Sequence, residues 1–453
     1  MNNSTSELSS YSSQLATFIA NTDISNIPAN VLHEAKRSLL NYFGVALGGI
    51  NYGPVQDVLS FVSSYSGPRL ATVIGSNIKL DAFNAAFINS ISANILDFDD
   101  THIPTIIHPT SPVASAVLSL GEIRNASGTD ILKSIVVGIE TACRSGMSVF
   151  PGQYNRGWHV TSTCGILGAA AGTSKLIKLS PTCIANAIGI AASQSSGLVE
   201  NLPTSARNIQ VGNAAKNGVF ATLMAERHWD SAVTTLEGAN GWAHAMGDTL
   251  DPDKLLLNLG SHWELLSNTY KAYPCGVVIG PVVDACLNLR VKNIFNLTDI
   301  ERITVTGNPL LLSRADRPNV TDERAAKVSL HHACAVALYY GKAGIEEFSQ
   351  PTVMQPFIES LRNKVSTKSN ELLSVSTANI QIQLADGRIL DETVSKPLGG
   401  IDNPLSDKEI ENKLKSLLEL SKLKLNSVTL IDAIWNIEKI KDIQGLLKLT
   451  RPS

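Results

Sequence analysis

The 453-residue sequence predicts a mainly α fold, in which a large all-helical domain formed by both chain ends carries an inserted, smaller α+β lid domain. Three observations lead there. Apolar residues recur with helical spacing from Ser6 to about Gly260, the texture turns to short β-branched runs past Tyr270, and helical spacing returns after Pro404. The bounds that follow are 1–268 and 401–453 for the helical domain and 269–400 for the lid.

Within the helical part, Val31 to Ile50 places Leu32, Ala35, Leu39, Tyr42 and Phe43 on one face. The run DAFNAAFINSISANI from Asp81 to Ile95 is nearly free of charge after its first residue, and Ile131 to Val149 is almost as apolar. Helices apolar all round belong in the middle of a large helical body. The small-residue runs GILGAAAGTSKL (Gly165 to Leu176) and NAIGIAASQSSG (Asn186 to Gly197) let helices approach closely; neither has the GxxxxGK[ST] order of a phosphate loop. In the insert, Arg302 to Thr306 reads as a strand, Glu323 to Gly344 as a helix, and Asn379 to Val394 as two alternating runs joined by a tight ADGR turn. Ser406 and Glu409 form a capping-box pair at the return to helix.

Composition narrows the function. The charged fraction is 17%, below the quarter or so that is usual, which favours an oligomer that hides part of its surface. A net charge of -3 offers no basic face for nucleic acid. The six cysteines are scattered with no CxxC pair, as expected of reduced thiols in the cytoplasm. The first residues lack the pattern of a secretory signal, and no apolar run reaches the roughly 20 residues needed to span a bilayer.

Four stretches carry candidate chemistry. LDFDDTHIPTIIHPT, Leu96 to Thr110, gathers three aspartates and two histidines between nearly uncharged neighbours. If the helix from Asp81 runs on to Thr101, Asp97 and Thr101 share a face, while Pro104 and Pro109 leave His108 on a loop. Such clusters of titratable groups mark functional clefts, and clefts between domains are favoured ligand sites. Metal ligation is the rival reading of the cluster, but no HxxxH or HxxE pair supports it. YNRGWHVTSTCG sets His159 ahead of hydroxyl residues and a small-residue helix. VGNAAKNGVF holds Lys216 as a single ammonium among small residues, which calls for a carboxylate of the protein or of a substrate. Arg144 and Arg207 repeat that argument more weakly, and YKAYPC offers Lys271 and Tyr273 at the domain junction. His331 and His332 are adjacent, so they cannot share a helix face, and one of them is expected to be exposed. Carboxylates, histidines and isolated lysines without a nucleotide loop suit proton transfer beside a substrate carboxylate, and no cysteine has a histidine partner in sequence.

Taken together, LDFDDTHIPTIIHP, RGWHVTSTCGILGAAAG, GNAAKNG, LEGANGW and YKAYPCG, in that order along essentially the whole chain, resemble the MmgE/PrpD family, which includes 2-methylcitrate dehydratase and cis-aconitate decarboxylase. The resemblance implies a helical domain from both termini, an inserted lid, a homodimer, no metal or other cofactor, and dehydration, decarboxylation or related α-proton chemistry on small di- and tricarboxylates. It assigns Asp97, Thr101 and His108 to the active site, His108 as acid or base, and turns His159 to the cleft. Lys216 and Lys271 would then hold substrate carboxylates. Relatives carry a histidine directly after the YPC element or four residues further on, where this chain has Gly276 and Gly280. The expected activity is therefore that of a lyase. An isomerase or epimerase on the same scaffold, or a silent carboxylate-binding dimer, is the alternative.

Overall fold

The computed structural model describes residues 10–247 and 249–452. They form two compact units. Among the described residues, the first comprises 10–95, 99–247, 249–268 and 407–452, and the second 96–98 and 269–406.

The first unit is helical because its segments are apolar over most of their surface, and some of them start at a side-chain cap. Its main helices are α1 (Ala29–Gly49), α2 (Ala82–Asn94), α3 (Thr110–Ile123), α4 (Gly128–Val149), α5 (Val160–Leu176), α6 (Pro181–Ala192) and α7 (Ala206–Glu226). Asp81 caps α2 by accepting from the amides of Phe83 and Asn84, and Ser127 caps α4 by accepting from Asp130. Every residue of α5 is buried. That is possible because its small side chains let neighbours come near. A Cβ added at Gly168 of α5 would stand 2.5 Å from the Gly138 carbonyl oxygen of α4, and one at Gly218 of α7 would stand 2.4 Å from Ala169 of α5. Here glycine sets the distance between helix axes.

The second unit is α+β. Its sheet comprises β1 (Ile300–Gly307), β2 (Val365–Ser369), β3 (Ala378–Leu384) and β4 (Ile389–Val394), in the order β2-β1-β3-β4. β1 pairs in parallel with β2, Ile303 opposite Val365, and antiparallel with β3, Ile303 opposite Ile382. The β3–β4 hairpin turns through 385–388, where Gly387 takes φ 85°. Helix α8 (Gly280–Lys292) packs on the sheet and α9 (Leu330–Tyr340) packs on α8, and their buried residues join those of the strands in one apolar core. The chain then re-enters the first unit as α10 (Asp407–Ser421), which packs on α1 closely enough that a Cβ at Gly44 would lie 3.1 Å from the Leu414 Cα. No helix among the described residues is long and apolar enough to cross a membrane.

Three local expectations are corrected. The helix from Asp81 stops at Asn94; Asp97 adopts φ 56°, which a right-handed helix cannot include, and Asp100–His102 is a short strand. Asp97 and Thr101 are therefore not neighbours on a helix. The segment Glu323 to Gly344 divides into Glu323–Lys327 and α9, because the Ser329 side chain accepts from the His332 amide and starts a second helix. Both His331 and His332 are buried, His331 against Asp316 at 2.7 Å and His332 donating to the Glu347 carbonyl at 2.9 Å.

Gly168→Ala should destabilise the protein by about 1–3 kcal/mol through forced separation of α4 and α5. Urea unfolding measures it, and an unchanged midpoint would show that these helices can part freely.

Candidate active site

The end of α2 decides where the chemistry goes. After the left-handed turn at Asp97, Asp99 and Asp100 enter the first unit almost wholly buried, at 1% exposure each. Asp99 Oδ2 accepts from Asn94 Nδ2 at 2.7 Å. Asp100 Oδ2 accepts from Thr110 Oγ1 at 2.6 Å and from Asn268 Nδ2 at 2.7 Å. Burial raises the Asp100 carboxyl above its ordinary value and the Asp99 charge adds to that, while the Thr110 bond opposes it.

His108 returns to this point on the loop before α3. Its Nδ1 lies 2.6 Å from the Asp100 carbonyl oxygen, 3.2 Å from Thr101 Oγ1 and 3.8 Å from Asp99 Oδ1. A carbonyl only accepts, so Nδ1 carries the proton and Nε2 keeps its lone pair. The ring edge is part-exposed, so a ligand can reach it. The same geometry bears on a cation: Asp99 and His108 have the right donor types, but the Nδ1 lone pair is not available, leaving Nε2 as the ring's only metal-binding atom.

His159 stands at the start of α5, 5% exposed, with its amide on the Gly197 carbonyl and its Nδ1 2.8 Å from Gln210 Oε1 on α7. Burial pushes this imidazole down to about 3, against the opposing effect of the Gln210 bond. It is a neutral ring at physiological pH. Lys216, on the same α7, is half-buried with Nζ 5.9 Å from the centroid of the Phe87 ring, and it makes no ion pair among the described residues. Thr161, in the first turn of α5, accepts from the His108 amide at 3.2 Å.

Arg144 does not join this group. Its Nε donates to Glu140 at 2.5 Å, and its other nitrogens donate to the carbonyls of Leu257 and His262. The guanidinium ties the 255–262 segment to α4. Burial, more than the neighbouring Glu264, raises Glu140 to about 7, against the pull of Arg144. His102, also in the opening cluster, is fully buried between Thr105 and Glu264 and so is structural.

In the second unit, Lys271 Nζ donates to Asp97 Oδ1 at 2.7 Å and to the Asp97 carbonyl at 3.1 Å, with both side chains nearly buried. Tyr273 donates its hydroxyl to Asp284 Oδ1 at 2.5 Å, and Asp284 Oδ2 accepts from the Leu398 amide at 2.7 Å. Burial first, and the Asp284 charge second, raise the Tyr273 phenol, so it acts as a donor and not as a phenolate. Burial also pushes the thiols of Cys164 and Cys275 up to about 12, which disfavours a thiolate nucleophile.

Gly276 and Gly280 have φ -53° and -47°, conformations open to any residue. Among the described residues, a Cβ at Gly280 would come within 4 Å only of Pro397 Cβ, at 3.7 Å, and one at Gly276 only of Ile279, at 3.8 Å. Neither backbone strain nor crowding at the Cβ demands glycine there.

Sequence reasoning missed Asn94, Asp99, Asn208, Gln210 and Asp284. Asparagines inside the apolar α2 were the available signal, since a buried amide needs partners.

Because burial holds His159 neutral, an unfolded chain takes up its proton near 6.5 and the folded one only near 3. Stability is therefore full above about pH 6.5 and is lost as pH falls toward about 3. His159→Gln should flatten that acid slope in urea titrations between about pH 4 and 7. Identical slopes would mean that the ring is solvated.

The family model of the MmgE/PrpD N-terminal domain matches residues 13–254, and that of the MmgE/PrpD C-terminal domain matches residues 273–436. A cis-aconitate decarboxylase of Aspergillus terreus is 28% identical over 480 residues, covering 98% of this chain and 95% of that protein. Cis-aconitate decarboxylases of Mus musculus and Homo sapiens are each 27% identical, covering 98% of this chain and 93% and 95% of their own lengths.

Proposed function

The chain belongs to the MmgE/PrpD family, and from that premise we propose that it is a lyase which needs no cofactor and acts on a small di- or tricarboxylate, with decarboxylation of a cis-aconitate-like acid as the first candidate and dehydration of a 2-methylcitrate-like acid as the second. One observation carries the reading: His108 has its Nδ1 proton tied to the Asp100 carbonyl and its Nε2 lone pair left to work. In dehydration that nitrogen removes a proton beside a carboxylate as hydroxide leaves. In decarboxylation the imidazolium returns a proton to the carbon that inherits the electron pair when CO₂ departs. General acid–base catalysis of this kind contributes about 10²- to 10⁴-fold.

Lys216 and Lys271 are assigned to substrate carboxylates. An ammonium with no carboxylate partner among the described residues, as at Lys216, is suited to an anionic ligand, whereas Lys271 is already paired with Asp97 and would share its charge. Asp97, Thr101 and His159 keep the active-site roles implied by the family, Thr101 through its contact with the His108 ring. Tyr273 contributes as a donor, and Arg144 supports the fold. A homodimer in the cytoplasm, with no metal, completes the proposal.

Gly276 and Gly280 favour a second reading, an isomerase or epimerase that needs only removal and return of an α-proton. Incubation with cis-aconitate, citrate and 2-methylcitrate in heavy water, followed by NMR, separates the two. Water loss or CO₂ release supports the lyase; deuterium exchange without net product supports the isomerase; saturable binding alone leaves a silent carboxylate binder.

His108→Ala and Lys216→Ala should each abolish turnover while leaving the circular dichroism spectrum unchanged. Full activity in both would end the assignment. Gly280→His should fold normally and raise family-type activity, and no gain would indicate that this chain has moved to other chemistry.

A further inference from the structure

Helix α7 reaches toward His159 directly and toward His108 through intervening side chains. Gln210 accepts from His159 Nδ1. Two residues earlier Asn208, 2% exposed, donates from Nδ2 to Asn94 Oδ1 at 2.8 Å, and Asn94 donates from its own Nδ2 to Asp99 Oδ2 at 2.7 Å. The second oxygen of Asp99, Oδ1, is buried with no hydrogen-bond donor among the described residues and lies 3.8 Å from His108 Nδ1. We propose that Asn208, Asn94 and Asp99 form a positioning relay that holds one carboxylate oxygen toward His108 and stabilises its protonated ring during proton transfer. The relay rests on the reading of His108 as acid or base. None of its three members touches the reacting atoms.

Its direction follows from the two different ends of an amide. Asn208 donates, so Asn94 must present its oxygen to α7 and its NH₂ to Asp99. An NH₂ group can only donate. Asp99 Oδ2 is therefore the acceptor at the end of the line. At 3.8 Å the contact with Nδ1 is too long for a hydrogen bond, and the Nδ1 proton already belongs to the Asp100 carbonyl. Asp99 acts through its charge, which at such a distance favours the charged form of a neighbour of opposite sign. The other groups bearing on His108 are Asp100 beside it and His159 from α5, whose neutral ring adds no charge. Asp97, two residues along the chain, is paired with Lys271.

The test uses the full chain labelled with ¹⁵N in its histidine rings, with the His108 signals assigned through His108→Gln. The wild type should show the Nδ1-protonated tautomer when neutral. Asp99→Asn, which keeps the shape and removes the charge, should lower the His108 pKa by about one unit, a tenfold shift. Asn208→Leu leaves Asp99 in place and should give a smaller shift of the same sign; it decides the matter alone if Asp99→Asn fails to fold. On cis-aconitate both variants should lose kcat, by about tenfold for Asp99→Asn, with KM within about threefold. An unchanged His108 titration in the folded variants overturns the relay, whatever happens to turnover. Shifted titration in a protein that turns over no polycarboxylate supports the relay and removes the functional reading instead.

Discussion

The structure depends on where α2 ends. Asp97 bends the backbone into the left-handed region, and Lys271 holds both its carboxylate and its carbonyl. A non-glycine residue in that region is uncommon, and it persists where surrounding contacts over-determine it. Were the helix to continue, Asp99 and Asp100 would point to other faces and the strand Asp100–His102 would not form. The His108 ring would then lose the carbonyl that fixes its tautomer.

From that turn the electrostatics follow. Two carboxylates are buried side by side, and the chain handles them differently. Asp100 is surrounded by donors on one oxygen and is raised toward its neutral form, whereas Asp99 receives one amide donor and has its other oxygen near an imidazole. A line of asparagines leads to Asp99, and a histidine stands beside it. The two imidazoles differ in the same way: His159 is buried and kept neutral, while His108 keeps an edge open to solvent. Apolar, small-residue segments let α4, α5 and α7 pack closely, and two of these helices carry His159, at the start of α5, and Gln210, on α7.

Much of the fold was legible. Helical spacing, the composition change past Tyr270 and the ADGR turn are local signals, and the family motifs recorded the order of the site segments. The site was legible as residue types and less so as geometry. The periodicity of DFDDT leaves a continued helix open; in the structure Asp97 turns left-handed and pairs with a lysine 174 positions away. Arg144 and Lys216 looked alike, each a lone cation among apolar neighbours. One is fully engaged by Glu140 and two carbonyls, and the other has only an aromatic face and no ion pair among the described residues. His331 and His332 were judged by helix phase alone, which cannot reveal that Asp316 and the Glu347 carbonyl come to meet them.

By itself the sequence determined the helical body, the inserted α+β unit and the family, since these rest on periodicity, turn chemistry and ordered motifs that act over short stretches. The tertiary structure decided which ionisable groups are partnered. Partnership depends on distances between segments remote in sequence, and hydrogen bonds and charges act over only a few ångströms. That is why Asn94 and Asn208 read as incidental polar residues along the chain and stand in the folded protein as a line leading to Asp99, beside His108.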